Sequence, residues 1–178
     1  MSFIQKLFGL PDNEASKRET EVVRHVVEKL DGLSEEQARF IASFGYLLGR
    51  VAHADLNISP EEAAEMEKLI IERGGLPAQQ AVIVTQIAKT RAQLFGGTEN
   101  FLVTREFDRI ATKEQKLHLL DCLFAVAAAE GNISLTEDNE IRQISNELHL
   151  DHPDFIRVRS RWKDQLAVLQ DLPKAPEK

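Results

Sequence analysis

The sequence predicts an all-α protein, on three observations. Apolar residues recur at three- and four-residue spacing through almost every stretch between glycines, prolines and capping residues. No stretch alternates apolar and polar residues for long enough to make a strand. One segment occurs twice, as VAHADLNISPEEAAE at Val51–Glu65 and VAAAEGNISLTEDNE at Val126–Glu140, with an offset of 75 residues and identity at eight of fifteen positions. Each copy reads as small residues closing one helix, an acid, a short turn, and a capped second helix. The duplication predicts a single domain of about eight helices with an internal pseudo-twofold repeat of two helix-turn-helix elbows.

The elements follow in order. MSFIQKLFGL places Phe3, Ile4, Leu7 and Phe8 on one face of a short helix that Gly9-Leu10-Pro11 stops, and Asp12 to Thr20 is a polar tether. This patch has three open uses: docking on its own domain, engaging a protein partner, or touching a membrane. With Lys6 as its only charge it lacks the basic face that interfacial helices use on anionic lipid. The reading is therefore residues 1–18 as an appended segment, 19–171 as the helical domain and 172–178 as a tail with nothing to pack.

Val22, Val23, Val26, Val27 and Leu30 define a helix broken by Asp31-Gly32. Ser34 opens the next, with Gln37 in capping-box position, and Phe40, Ile41, Phe44, Leu47, Leu48 and Val51 make its wide apolar stripe, ending near Ala54. Ser59 caps a third helix with Pro60 at its first position and Glu62 completing the box; Met66, Leu69 and Ile70 face inward until Gly74-Gly75. A fourth runs from Pro77 through Ile83 and Ile87 to Phe95. The segment FLVTREFDRI then predicts a shorter helix with Phe101, Leu102, Phe107 and Ile110 inward. Thr112 with Gln115 opens the long helix of the second copy, Ser134 with Glu137 caps its partner, and one last helix extends from about Pro153 to Leu169.

A net charge of −7 argues against a general nucleic-acid binder, since duplex binding rests on neutralising phosphates with Lys and Arg. Cys122 is the single cysteine, so neither a disulfide framework nor a Cys-based zinc site can form within one chain. No apolar run approaches the roughly 20 residues that span a bilayer. The N-terminal residues lack a signal peptide's apolar core and cleavage site, and the expected location is the cytoplasm.

The two elbows, with the run NFLVTREFDRIATKEQKLHLLDCLFAVAAAEGNISLTEDNEIRQISNELHLDHPDFIRVRSRW between and beyond them, resemble the uncharacterised stand-alone branch of the TerB family, named for bacterial tellurite resistance. The resemblance covers about residues 33–165. It implies a non-enzymatic helical module of stress-response type acting through protein partners. Similar domains also sit beside a J-domain in a membrane-anchored co-chaperone. It further implies that Asp55, Glu62, Glu130 and Glu137 are ligands of a divalent cation, Ca²⁺, Mg²⁺ or Mn²⁺. The usual A-D-G of the motif reads Ala54-Asp55-Leu56 in the first copy and Ala129-Glu130-Gly131 in the second.

The residues themselves allow two readings of these acids. Ser59 and Ser134 are N-caps, Glu62 and Glu137 complete their boxes, and Asp55 and Glu130 are then plain turn residues. Yet Asp55 and Glu130 both stand at the carboxyl ends of helices, where the macrodipole disfavours an anion by about 0.3–1 kcal/mol, an unfavourable choice made twice. If the copies pack about a twofold, the four carboxylates converge as hard oxygen ligands. Neither copy is an EF-hand: the twelfth position, which needs a bidentate Glu, holds Met66 or Ile141.

Other constellations are weaker. His118 and Cys122 stand one helical turn apart, as a zinc pair would, but Cys122 aligns with core Leu47. His149, Asp151 and His152 read as a turn. Arg157, Arg159, Arg161 and Lys163 make a basic patch split between two faces, suited to solvent or an acidic partner. No phosphate loop or nucleophile elbow occurs. Three function classes remain: a metal-binding interaction module, a metal-free scaffold, and a metal-dependent hydrolase without an evident base.

Overall fold

The computed structural model describes residues 26, 28–52, 59–94, 100–129 and 131–170. These residues form α1 (Glu35–Val51), α2 (Pro60–Glu72), α3 (Ala78–Leu94), α4 (Asn100–Ile110), α5 (Lys113–Ala129), α6 (Leu135–Glu147), α7 (His152–Arg159), a 3-10 helix over Ser160–Gln165 and a short α8 (Ala167–Gln170). Residues 28–31 are also helical, and Val26 and Leu30 are fully buried. The protein is all-α: no strand occurs among the described residues, and the one β-type pairing is an isolated bridge between Ile133 and Leu166.

Local chemistry sets the helix starts. Ser34–Gln37, Ser59–Glu62 and Ser134–Glu137 are complete capping boxes. A fourth forms at Thr112, whose N–H donates to Gln115 Oε1 at 2.8 Å while its hydroxyl accepts from Gln115 N at 3.2 Å. Each box satisfies two amide donors that a helix start would otherwise leave unpaired.

Helix α1 is the centre of the packing, with α3, α4, α5 and α6 against it. Its stripe from Ile41 to Val51 is buried on every side, so even Ser43, Gly45 and Arg50 face protein. Phe40, Phe44 and Phe107 join α1 to α4 through ring centroids 5.2–6.1 Å apart. Helix α5 is the second hub, touching α1, α2, α6 and α7, and Phe124 meets Phe155 of α7 at 6.1 Å. Cys122 lies in this core, fully buried, as its alignment with Leu47 anticipates.

Two expectations are corrected. In α4 the buried face is Val103, Thr104 and Phe107, while Phe101 and Leu102 are 61% and 62% exposed. The face that holds Phe107 repeats at three- and four-residue steps through 100, 103 and 104, which rotates 101 and 102 outward whatever their hydrophobicity. The final helix is also not continuous. Helix α7 ends at Arg159, the chain tightens into the 3-10 segment, and Leu166 turns extended (φ −75, ψ 112) to pair with Ile133. Ile133 N donates to Gln165 O at 2.7 Å and Ala167 N to Ile133 O at 3.0 Å. A continuous helix would forfeit these bonds and lift Leu166, fully buried here, off the second elbow.

Candidate functional site

Both elbows carry a complete capping box. Ser59 N donates to Glu62 Oε2 at 2.7 Å and Glu62 N to Ser59 Oγ at 3.1 Å. In the second copy Ser134 N donates to Glu137 Oε2 at 2.8 Å, the Ser134 hydroxyl to the same oxygen at 2.7 Å, and Glu137 N to Ser134 Oγ at 3.2 Å. Each glutamate thus sits in the first turn of its helix, where the macrodipole favours an anion. Glu62 is exposed and Glu137 is buried. One oxygen of each is committed to its cap, and Oε1 has no hydrogen-bond partner among the described residues. Asp55 and Glu130, with His53, lie outside the described residues, as does the N-terminal group Phe3, Ile4, Leu7 and Phe8. Among the described residues no group of three or more His, Cys, Asp or Glu side chains is placed to hold a metal ion.

Equivalent positions of the copies diverge just beyond the caps. Glu65 is exposed and 3.9 Å from Lys68. Its counterpart Glu140 accepts from Arg50 Nε at 2.7 Å. Arg50 is buried, and its Nη1 also donates to Thr104 Oγ1 at 2.8 Å and to Glu147 Oε2 at 2.7 Å. Burial alone would lower the guanidinium's pKa and raise that of Glu147, but the hydrogen bonds between them prevail, holding Arg50 above and Glu147 below their ordinary values. A second, partly buried pair clamps α6 to α7, where Arg159 Nε and Nη2 reach Asp138 Oδ1 and Oδ2 at 2.8 and 2.7 Å. The basic run of the last helix is therefore divided, with Arg159 internal and Arg157 and Arg161 on the surface.

None of these pairs was anticipated from the sequence. An arginine inside the apolar stripe Leu47-Leu48-Gly49-Arg50-Val51, facing Ala125 in the aligned copy, was the available signal, because a buried charge demands a partner. The remaining candidates resolve locally. His118 is exposed whereas Cys122 is fully buried, and burial pushes the thiol far above its ordinary value. His149, in a left-handed conformation (φ 54), places Nδ1 3.0 Å from Asp108 Oδ2, whose other oxygen meets Lys116 Nζ at 2.7 Å. Glu106 is held below the usual carboxylate range by Arg109 and, beyond that, by Arg39.

Fold and site together define an all-helical module in which capped elbows lead into helices joined by partly buried ion pairs. The chain belongs to the TerB family: the profile described as Tellurite resistance protein TerB matches residues 41–160, a span that takes in both elbows. No curated protein and no solved structure matches the chain. No helix among the described residues is long and apolar enough to cross a membrane.

Proposed function

We propose that this chain is a non-catalytic TerB-family module that acts by binding a protein partner in a tellurite- or stress-related response of the cytoplasm. The observation that carries the reading is where the buried titratable groups are committed. Buried Arg50 and Asp138 hold helices together through half-buried Glu147 and Arg159, and the Cys122 thiol is pushed up by burial. Groups engaged in this way serve rigidity rather than proton transfer or nucleophilic attack. A metal-dependent hydrolase is the weaker alternative for the same reason.

A second reading, a divalent cation held by Asp55, Glu62, Glu130 and Glu137, is favoured by the matching Oε1 atoms that the two capping boxes leave available. A pseudo-twofold between the copies belongs to it. The contacts of α1 with α6 and of α2 with α5 are the pair such a rotation would exchange. Titrating chelator-treated protein with Ca²⁺, Mg²⁺ and Mn²⁺ by calorimetry separates the readings. Saturable heat, with a melting temperature that rises with ion concentration, supports the cation. No heat and an unchanged melting temperature leave a metal-free scaffold. Partner capture with and without residues 1–11 tests whether the N-terminal apolar segment carries the interaction.

A further inference from the structure

Where α2, α5, α7 and the 3-10 helix meet there is a cleft of about 270 Å³, whose lining includes Glu72, Arg73, Glu114, Asp121, Arg157 and Arg161. Asp121 forms its floor, buried, with Oδ1 accepting the indole N–H of Trp162 at 2.9 Å. Arg73 Nη1 stands 3.7 Å from Asp121 Oδ2 and Arg161 Nη1 3.8 Å from Oδ1, both beyond hydrogen-bond length. The Arg73 guanidinium lies over the Trp162 ring, 5.6 Å from its centroid. Arg157 gives one N–H to Asp154 Oδ1 at 2.8 Å.

The contrast with the structural arginines is what makes this cleft distinctive. Arg50 and Arg159 each set two nitrogens 2.7–2.8 Å from carboxylate oxygens. Arg73 and Arg161 instead share one carboxylate that already has a donor and that neither reaches, although each fork offers five N–H groups. The geometry points to an oxyanion-binding site, in which Arg73 and Arg161 close on a phosphate or carboxylate group while Trp162 backs Arg73 and Asp121. Fork-to-oxyanion pairing is the geometry guanidinium favours over a point charge. Asp121 holds the two arginines near each other across the cleft and competes with the ligand for them. Glu72 and Glu114 on the rim oppose any anion, so selection rests on the paired forks and not on net charge.

Trp162 is the single tryptophan of the chain, bonded to Asp121 and faced by Arg73, so its emission responds to a change at either group. The test titrates the full chain with inorganic phosphate and, separately, with succinate, against chloride at equal ionic strength. A saturable change in emission is expected with one or both anions, the responding arm identifying phosphate or carboxylate as the preferred group. Arg73→Gln and Arg161→Gln, both at exposed side chains, each weaken binding by about tenfold or more, as loss of charge-assisted hydrogen bonds does. Asp121→Asn, which keeps an acceptor for Trp162, and Glu114→Gln, which leaves Asp121 intact, each tighten it. The site is refuted if neither anion gives a saturable response, or if the arginine variants bind as the parent does.

Discussion

Arg50 Nη1 and Glu147 Oε2 meet at 2.7 Å across 97 positions of sequence. The pair joins the helix that enters the first elbow to the helix that leaves the second. The Arg50 side chain is 1% exposed, so its charge is tolerable only because Glu140, Glu147 and Thr104 surround it. Arg50→Met should lower stability by about 2–4 kcal/mol, below the upper end for a broken buried pair because the orphaned carboxylates are partly hydrated. Arg50→Lys should recover only part, since a compact ammonium cannot serve two carboxylates and a hydroxyl from one fork. Urea unfolding of the three proteins measures this; an Arg50→Met midpoint equal to the parent's would show that the pair contributes nothing.

Carboxylates held by arginines set the acid limit. Glu147 and Glu106 have folded pKa values below their unfolded ones. Their contribution is therefore fully present above the unfolded value of about 4.3 and is lost as pH falls through the lower folded value. The melting temperature should hold flat from pH 7 to about 5 and drop steeply below about 4. Glu147→Gln should melt lower at pH 7 and show a shallower drop in acid, so that the two curves converge. Parallel curves would remove Glu147 from the account.

What the sequence made legible was local. Ser34, Ser59, Thr112 and Ser134 could be assigned as caps because a capping box needs only residues three apart, and all four formed. The core helices and the family were legible for a related reason, since periodicity and a duplicated motif survive without knowledge of what packs where. What failed depended on distant partners. Phe101 and Leu102 look inward until α1 fixes the rotation of α4. Leu166 looks helical until Ile133 offers its backbone. Arg50 and Asp138 draw no assignment from local pattern because their partners lie on other helices. Of the four proposed cation ligands, Glu62 and Glu137 were correctly read as box residues, and Asp55 and Glu130 fall outside the described residues.

Helices α1 and α3 approach closely at Gly45, where an added Cβ would stand 2.8 Å from Ile87 Cβ and 2.9 Å from Val84 O. Neither can move easily, one being the root of a β-branched side chain and the other backbone. Gly45→Ala should therefore destabilise by about 1–3 kcal/mol even though Ala is the better helix former. A rise in melting temperature would mean that propensity outweighs the contact.

The cap and cation readings of the elbows part company at Ser134. Ser134→Ala removes the acceptor for Glu137 N and one donor to Glu137 Oε2, and should cost about 1–2 kcal/mol, more than Ser59→Ala at its exposed counterpart. If the carboxylate then releases toward a cation, added Ca²⁺ or Mn²⁺ should restore part of the loss in the Ser134 variant. An equal deficit with and without ions assigns Glu137 to the cap alone.

The family match ends at residue 160, yet the chain beyond it is part of the fold. Leu166 is fully buried, its neighbours bond both backbone groups of Ile133, and Gln170 exchanges two amide hydrogen bonds with Asn132 at 2.9 and 3.0 Å. All of these fall on the turn of the second elbow, where Gly131 adopts φ +127, a conformation side-chain-bearing residues rarely take. The strap thus adds bonds to a turn that also has its own, from Gly131 N to Ala128 O and in the Ser134–Glu137 box. Ending the chain at Gln165 should cost about 2–4 kcal/mol, the range for removing a buried leucine with its hydrogen bonds. Amide exchange should accelerate first at Ile133. Ending it at Gln170 should leave both measurements unchanged. Were the two truncations to melt together at the parent temperature, the bridge between Ile133 and Leu166 would be an incidental contact, and the second elbow would have to hold its shape from its own bonds alone.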